Sequence, residues 1–244
     1  MSNSGAQRPE GNGPQGEVPD ARRPDAQRME APRPPAALRL IVVAHPLIED
    51  CLAHLRDVTT GVADFRRYAR LLTQLLCFEA TRDLALRASD VATPLERAPV
   101  SVLDDQVVLV PVLRSGLAML ETVGALFPEA RVGFVGLERD ERTAQARGYY
   151  QKLPAGIAGS RVMILEPMLA TGGSACATLQ IVRAAGATDV RLVCVVAAPE
   201  GVQAVHRRFP ETAVYSAVLD RGLDERKYIL PGLGDFGDRY FGTG

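Results

Sequence analysis

Residues 164–174 read ILEPMLATGGS, an apolar run that ends on an acid, Glu166, and breaks into a loop of small residues with Gly172 and Gly173 side by side. Two kinds of chemistry are available there. A helix starting just after the glycines would offer unpaired backbone N–H groups and the positive end of its dipole, and glycines let such a backbone wrap a phosphate closely. A carboxylate at the preceding strand end can accept hydrogen bonds from sugar hydroxyls, with the Ala170–Ser174 backbone about one sugar's width away. A sugar phosphate fits both ends. An ordinary strand-to-helix turn with Ser174 as N-cap has the same composition, and this stretch alone does not separate the two. Two arginines add positive charge: Arg114 in PVLRSG and Arg139 in the run ERDER. Each follows an apolar strand-like run, and together on one sheet edge they would suit a larger anion such as a pyrophosphate group.

Other motifs carry less. Gly232, Gly234 and Gly237 in GLGDFG match the dinucleotide pattern GxGxxG, but the match follows Pro231 and leaves no room for the helix and second strand that the fingerprint needs. The Walker pattern is absent. Four cysteines (Cys51, Cys77, Cys176, Cys194) lie in apolar segments without CxxC spacing, and three histidines are scattered, which reads as reduced core thiols and no structural metal.

The elements that must position these loops follow from apolar patterning. Strand-like runs recur at 107–113, 131–137, 161–165, 190–198 and 213–219, alternating with helical spacing over Gly116–Leu126, Ser174–Ala185 and Glu200–Phe209. Such alternation predicts an α/β fold with a mainly parallel central sheet flanked by helices, its ligands beyond the carboxyl ends of the strands. Leu38 to Val43 opens the ordered part, and Asp64–Leu86 reads as one long amphipathic helix capped by Asp64. The charged connection from Glu138 to Pro154 is either a lid or a pairing hairpin. Residues 1–37, rich in Pro, Gly, Arg and Glu, are expected to be a disordered tail, leaving 38–244 as one domain. With 244 residues, 47% hydrophobic, and a formal net charge of −1, the chain reads as a globule with neither a nucleic-acid nor a membrane partner. The start of the chain lacks a signal-peptide core, so the cytoplasm is the expected location.

At this point the chain resembles a known family. ILEPMLATGGS is similar to the phosphoribosyl pyrophosphate motif of the type I phosphoribosyltransferases, in the DPMLATGGS form of the uracil phosphoribosyltransferases. The resemblance runs through HPLIED (45–50), LRD, PVLRSG, YYQKLP (149–154) and VAAPEGV (196–202) to YILPGLGDFGDRYFGT (228–243). It implies transfer of phosphoribosyl from phosphoribosyl pyrophosphate to uracil, giving UMP in pyrimidine salvage, with Mg2+ on the pyrophosphate group. It further implies a type I fold with a small base-binding hood. Glu166, Pro167, Met168, Leu169, Ala170, Thr171, Gly172, Gly173 and Ser174 would hold the ribose and its phosphate, and Arg114 and Arg139 the pyrophosphate. Ile229, Gly234, Asp235 and Phe236 would form the uracil site, largely through backbone groups, with Asp235 also facing phosphoribosyl pyrophosphate. Arg114, Arg139 and Asp235 are the catalytic candidates. Family members form dimers or larger assemblies, and some respond to a purine nucleotide, so the resemblance implies a homo-oligomer and a purine-nucleotide effector. Phe236 would either stack on the base or pack into the core.

The departures are Glu166 where the family usually has Asp, Ser115 in PVLRSG for Ala, and RDERTAQA for the usual lid sequence. They leave both arginines, the TGGS loop and Asp235 in place. They also keep open a second class of reading, a catalytically weak ligand sensor built on the same fold.

Overall fold

The computed structural model of the chain describes residues 40–139 and 146–244. The expected tail and the lid residues 140–145 lie outside them. The chain opens with β1 (Leu40–Val42), α1 (Pro46–Arg56) and α2 (Val62–Ala80), then a hairpin of β2 (Leu86–Ala92) and β3 (Arg97–Leu103). Next come β4 (Val107–Leu113), α3 (Leu117–Leu126), β5 (Arg131–Val132), β6 (Phe134–Arg139) and β7 (Ala146–Lys152). The second half holds β8 (Arg161–Leu165), β9 (Met168–Leu169), α4 (Gly173–Ala184), β10 (Asp189–Ala197), α5 (Pro199–Arg208) and β11 (Ala213–Leu219). A short pair, β12 (Gly222–Leu223) and β13 (Ile229–Leu230), and α6 (Phe236–Phe241) close the chain.

The central sheet runs β1-β11-β10-β8-β4-β6-β7, parallel except where β7 returns antiparallel along β6. The central strands β4, β8 and β10 are buried on both faces and divide their side chains between two cores. On β4, Val107 and Leu109 join α1, α2, α3 and α6, while Val108, Val110 and Val112 join α4 and α5. Period-two alternation of this kind is why the strands read as unbroken apolar runs. Phe65, Leu72 and Leu76 of α2 are fully buried, and each such side chain stabilises the fold by about 1.5–3 kcal/mol.

Three expectations need correction. The helix predicted for Asp64–Leu86 starts at Val62, is N-capped by Gly61 without a side-chain hydrogen bond, and ends at Ala80. It stops because Asp83 is drawn to Arg161 (2.7 Å) and Arg191 (2.6 Å), and Leu84 and Ala85 are buried beyond it. Burial works to raise the Asp83 pKa, but hydrogen bonds and charge from Arg191 and Arg161 hold it below the usual carboxylate value. The run at 131–137 is interrupted at Gly133, where a Cβ would lie 2.9 Å from Leu153, so β5 and β6 are separate strands. The helix of the TGGS segment is N-capped by Gly172 rather than Ser174. The charged connection after β6 is a hairpin, β6 with β7. All four cysteines are buried and unbridged, and among the described residues no helix is long and apolar enough to cross a membrane.

Candidate active site

Four chain segments meet at the carboxyl edge of the sheet around a cavity of about 500 Å³, lined by Leu113, Arg114, Ser115, Glu138, Glu166, Thr171, Gly173, Ser174, Lys227 and Asp235 among others. A second cavity of about 560 Å³, against Gln106, Phe127 and Arg131, lies at the other edge, where β4 and β5 begin. It has no glycine loop. The first gathers Arg114, Glu166, Asp235 and most of the predicted phosphate loop, whereas Ile229, Gly234 and Phe236 do not line it.

The β4 turn is built by backbone. Gly116 N–H donates to Val112 C=O at 2.8 Å, and a Cβ on Gly116 would come within 2.6 Å of Val112 N, so only glycine lets the chain fold back there. The Leu113–Arg114 peptide is cis. Arg114 projects from this turn, largely exposed, with its guanidinium 3.6 Å from Asp238. Since β4 pairs in parallel with β6, Arg139 at the end of β6 stands on the same sheet edge as Arg114. The Arg139 side chain lies outside the described residues.

The ILEPMLATGGS loop is tied to β10, where Val195 N–H donates to Pro167 C=O (2.8 Å) and Ala198 N–H to Leu169 C=O (2.9 Å). Gly172 adopts φ +77°, and a Cβ on it would sit 2.8 Å from Gly201 C=O. Across the contact, a Cβ on Gly201 would lie 2.6 Å from Ala170 C=O. Two glycines therefore let the loop rest on the first turn of α5. The first bond inside α4 is Cys176 N–H to Gly172 C=O, so the N–H groups of the preceding residues lie ahead of the helical ladder, at the positive end of the dipole.

Glu166 is buried at the end of β8. Its Oε1 accepts a hydrogen bond from the Ser174 hydroxyl, and its Oε2 is buried without a partner. Burial pushes the carboxyl up to about 7, against the smaller opposing effect of the Ser174 bond. A buried acceptor left unpaired beside a cavity is suited to a ligand's donors.

The closing motif forms the hood. Ile229 is buried, and Asp235 lines the cavity while accepting from Asp238 N–H at 2.8 Å as N-cap of α6. Gly234 has φ +81° and is solvent-facing. Phe236 settles the alternative left open above. Its ring is in the core, edge-on to Phe65 at 5.3 Å and stacked on Tyr240 at 6.0 Å, so it offers a site only its backbone. Sequence reasoning missed what fixes the hood. Arg56, in the LRD segment, binds Asp220 (2.7 Å) and Gly232 C=O (2.8 Å), while Asp220 accepts from Gly232 N–H (3.0 Å). Arg239 donates to Leu233 C=O (2.8 Å), Asp57 C=O (2.6 Å) and Leu55 C=O. Lys227 and Glu138 were missed as cavity residues, because a turn position and a charge run look the same wherever they occur.

Comparison with known proteins places the chain in a family. A family model described as uracil phosphoribosyltransferase matches residues 42–243. A uracil phosphoribosyltransferase of Thermus thermophilus is 46% identical over 207 residues, covering 84% of this chain and all of the relative. One of Thermoanaerobacter sp. is 44% identical over 205 residues, covering 84% of this chain and 98% of the relative. Among solved structures, the AQ2163 protein of Aquifex aeolicus is 34% identical with a TM-score of 0.80, over 84% of this chain and 99% of that one.

Proposed function

The chain belongs to the uracil phosphoribosyltransferase family, and from that premise we propose how its residues share the work. It is a pentosyltransferase with the type I phosphoribosyltransferase fold, converting uracil and phosphoribosyl pyrophosphate to UMP and pyrophosphate. In our reading Glu166 holds the ribose hydroxyls, and the Ala170–Ser174 backbone with the Ser174 hydroxyl holds the 5′-phosphate. Arg114 and Arg139 take the pyrophosphate. Ile229 and Gly234 to Phe236 pair the carbonyl, N–H, carbonyl edge of uracil through fixed backbone donors and acceptors. The observation that carries this is the buried, half-unpaired carboxylate of Glu166 facing the same cavity as the TGGS loop and Arg114.

Catalysis is then positional and electrostatic. As the bond from the anomeric carbon to pyrophosphate stretches, positive character grows on the ribosyl centre and negative charge on the leaving group, and the arginines oppose the latter. No group of three metal-ligating side chains occurs among the described residues, while Glu138 and Asp235 are solvent-facing carboxylates of the cavity. That donor set fits a magnesium ion brought in with the substrate's pyrophosphate, which Asp235 and Glu138 would help to hold. Bound there it would supply further charge neutralisation to the leaving group. We place the protein in the cytoplasm, as an assembly of two or more copies, and open to a purine-nucleotide effector as some members of its family are.

The test is purified protein with magnesium, phosphoribosyl pyrophosphate and a panel of nucleobases. UMP and pyrophosphate are expected with uracil and with no other base, whereas no product with any base would replace the enzyme by a ligand sensor. The phosphate loop has its own check. Gly201→Ala puts a methyl group against Ala170 C=O and Leu169 C=O, and overpacking of this kind costs about 1–3 kcal/mol. A lower melting temperature together with a raised KM for phosphoribosyl pyrophosphate is expected. An unchanged KM would detach the Gly172–Gly201 contact from phosphate binding.

A further inference from the structure

Lys227 is the one non-glycine residue among those described with a positive φ, +69°. Left-handed backbone costs an ordinary side chain about 1 kcal/mol or more, and residues held there gather at functional sites. The turn from β12 to β13 imposes it. Lys227 N–H donates to Asp224 C=O (3.0 Å), Tyr228 N–H to Asp224 Oδ1 (2.8 Å), and Asp224 N–H to Tyr228 C=O (2.9 Å). Glycine or asparagine would meet the same φ with less strain. What lysine adds is a charge. Its side chain is exposed, lines the cavity with Arg114, Glu166 and Asp235, and has neither ion pair nor hydrogen bond among the described residues.

The charges around the cavity give that cation a role. Glu138, Glu166 and Asp235 line it as acids, and Arg114 already lies 3.6 Å from Asp238. A substrate carrying a diphosphate brings several more negative charges into this space, and one part-neutralised arginine on the β4 turn opposes them weakly. We propose that Lys227 is a substrate-binding residue whose ammonium group contacts the diphosphate of phosphoribosyl pyrophosphate from the hood. It is a third cation beside Arg114 and Arg139. The assignment rests on the reading of this cavity as the phosphoribosyl pyrophosphate site. It also gives the hood, otherwise a base-binding element, a hold on the leaving group, so that one turn touches both reactants.

The experiment uses Lys227→Asn, which accepts the left-handed backbone without the charge, Lys227→Arg, which keeps the charge, and Arg226→Ala, which removes a charge from the same turn outside the cavity wall. Inorganic pyrophosphate with magnesium is titrated by calorimetry, and KM is measured for both substrates. Lys227→Asn is expected to weaken pyrophosphate binding and raise KM for phosphoribosyl pyrophosphate by about tenfold each, one charge-assisted contact. KM for uracil should stay within about twofold on the same reasoning, Lys227→Arg should recover most of the loss, and Arg226→Ala should behave as the parent. The proposal is overturned if Lys227→Asn binds pyrophosphate as the parent does, if only KM for uracil moves, or if Arg226→Ala loses as much, since that would be a general field and not a contact. The titration needs no turnover. If the parent protein transferred to no base the reading of the reaction would fail, while the pyrophosphate isotherms would still decide Lys227.

Discussion

Replacing Arg114 by alanine is expected to lower kcat/KM for phosphoribosyl pyrophosphate by about a hundredfold while leaving KM for uracil nearly unchanged. The guanidinium stands on a turn that Gly116 folds tightly back on β4, so the backbone beneath it is fixed, while the side chain itself is exposed and only loosely paired with Asp238. A planar fork in that position can leave Asp238 and take two oxygens of a diphosphate, and charge-assisted bonds of this type contribute about 1.5–3 kcal/mol each. Arg114→Lys keeps the charge and loses the fork, so it should fall between the parent and alanine. Arg139 sits one strand away on the same edge, at the end of β6 in the β6–β7 hairpin. Arg139→Ala should therefore lower kcat more than it weakens ground-state binding, as for an interaction made mainly in the transition state. Steady-state kinetics with both substrates varied separate the two. Small, equal effects from both substitutions would contradict the clamp.

The parts of the fold that sequence made legible are those that bury themselves locally. β4, β8 and β11 match their apolar runs residue for residue because a parallel strand covered on both faces is apolar at nearly every position. The end of α2 was not legible, since what stops it is Asp83 meeting Arg161 and Arg191, 78 and 108 residues further along the chain. The β2–β3 hairpin went unread for the opposite reason. None of its strand residues is fully buried, and although β3 alternates with Ala98, Val100 and Val102 half-buried, β2 has no matching apolar face. α1 was within reach: Ile48, Cys51, Leu52 and Leu55 are its buried residues at helical spacing, after a His45 cap and a proline in the first turn. At the site, Glu166 and Arg114 carry their chemistry in residue type and strand-end position, whereas Asp235, the N-cap of α6, was legible only through the family resemblance. Lys227 does not, because a positive φ belongs to the folded turn and not to the lysine.

Glu166→Ala is expected to reduce affinity for phosphoribosyl pyrophosphate and turnover by about ten- to a hundredfold, the loss of charge-assisted bonds to the ribose hydroxyls. Glu166→Asp should preserve or raise activity. The longer glutamate reaches the Ser174 hydroxyl, a donor that the phosphate would otherwise receive, and shortening it by one methylene would free that hydroxyl while keeping the charge. Burial also gives this residue a pH signature. Its carboxyl is pushed from an ordinary 4.5 up to about 7, so between those values the folded protein holds a proton that the unfolded chain has lost. The stability this group contributes is complete below about pH 4.5 and is lost as pH rises through about 7, on the order of 3 kcal/mol in all. Glu166→Gln should flatten that part of the stability profile in denaturant titrations. Ligand binding should run the other way. Ribose hydroxyls donating to the carboxylate favour its charged form, so phosphoribosyl pyrophosphate should bind with release of a proton below about pH 7, and more tightly as pH rises toward it. Calorimetry in buffers of different ionisation enthalpy measures that proton. Its absence, with full affinity in Glu166→Ala, would mean that the acid serves Ser174 and the loop alone, and the ribose would have to be held by the backbone around it.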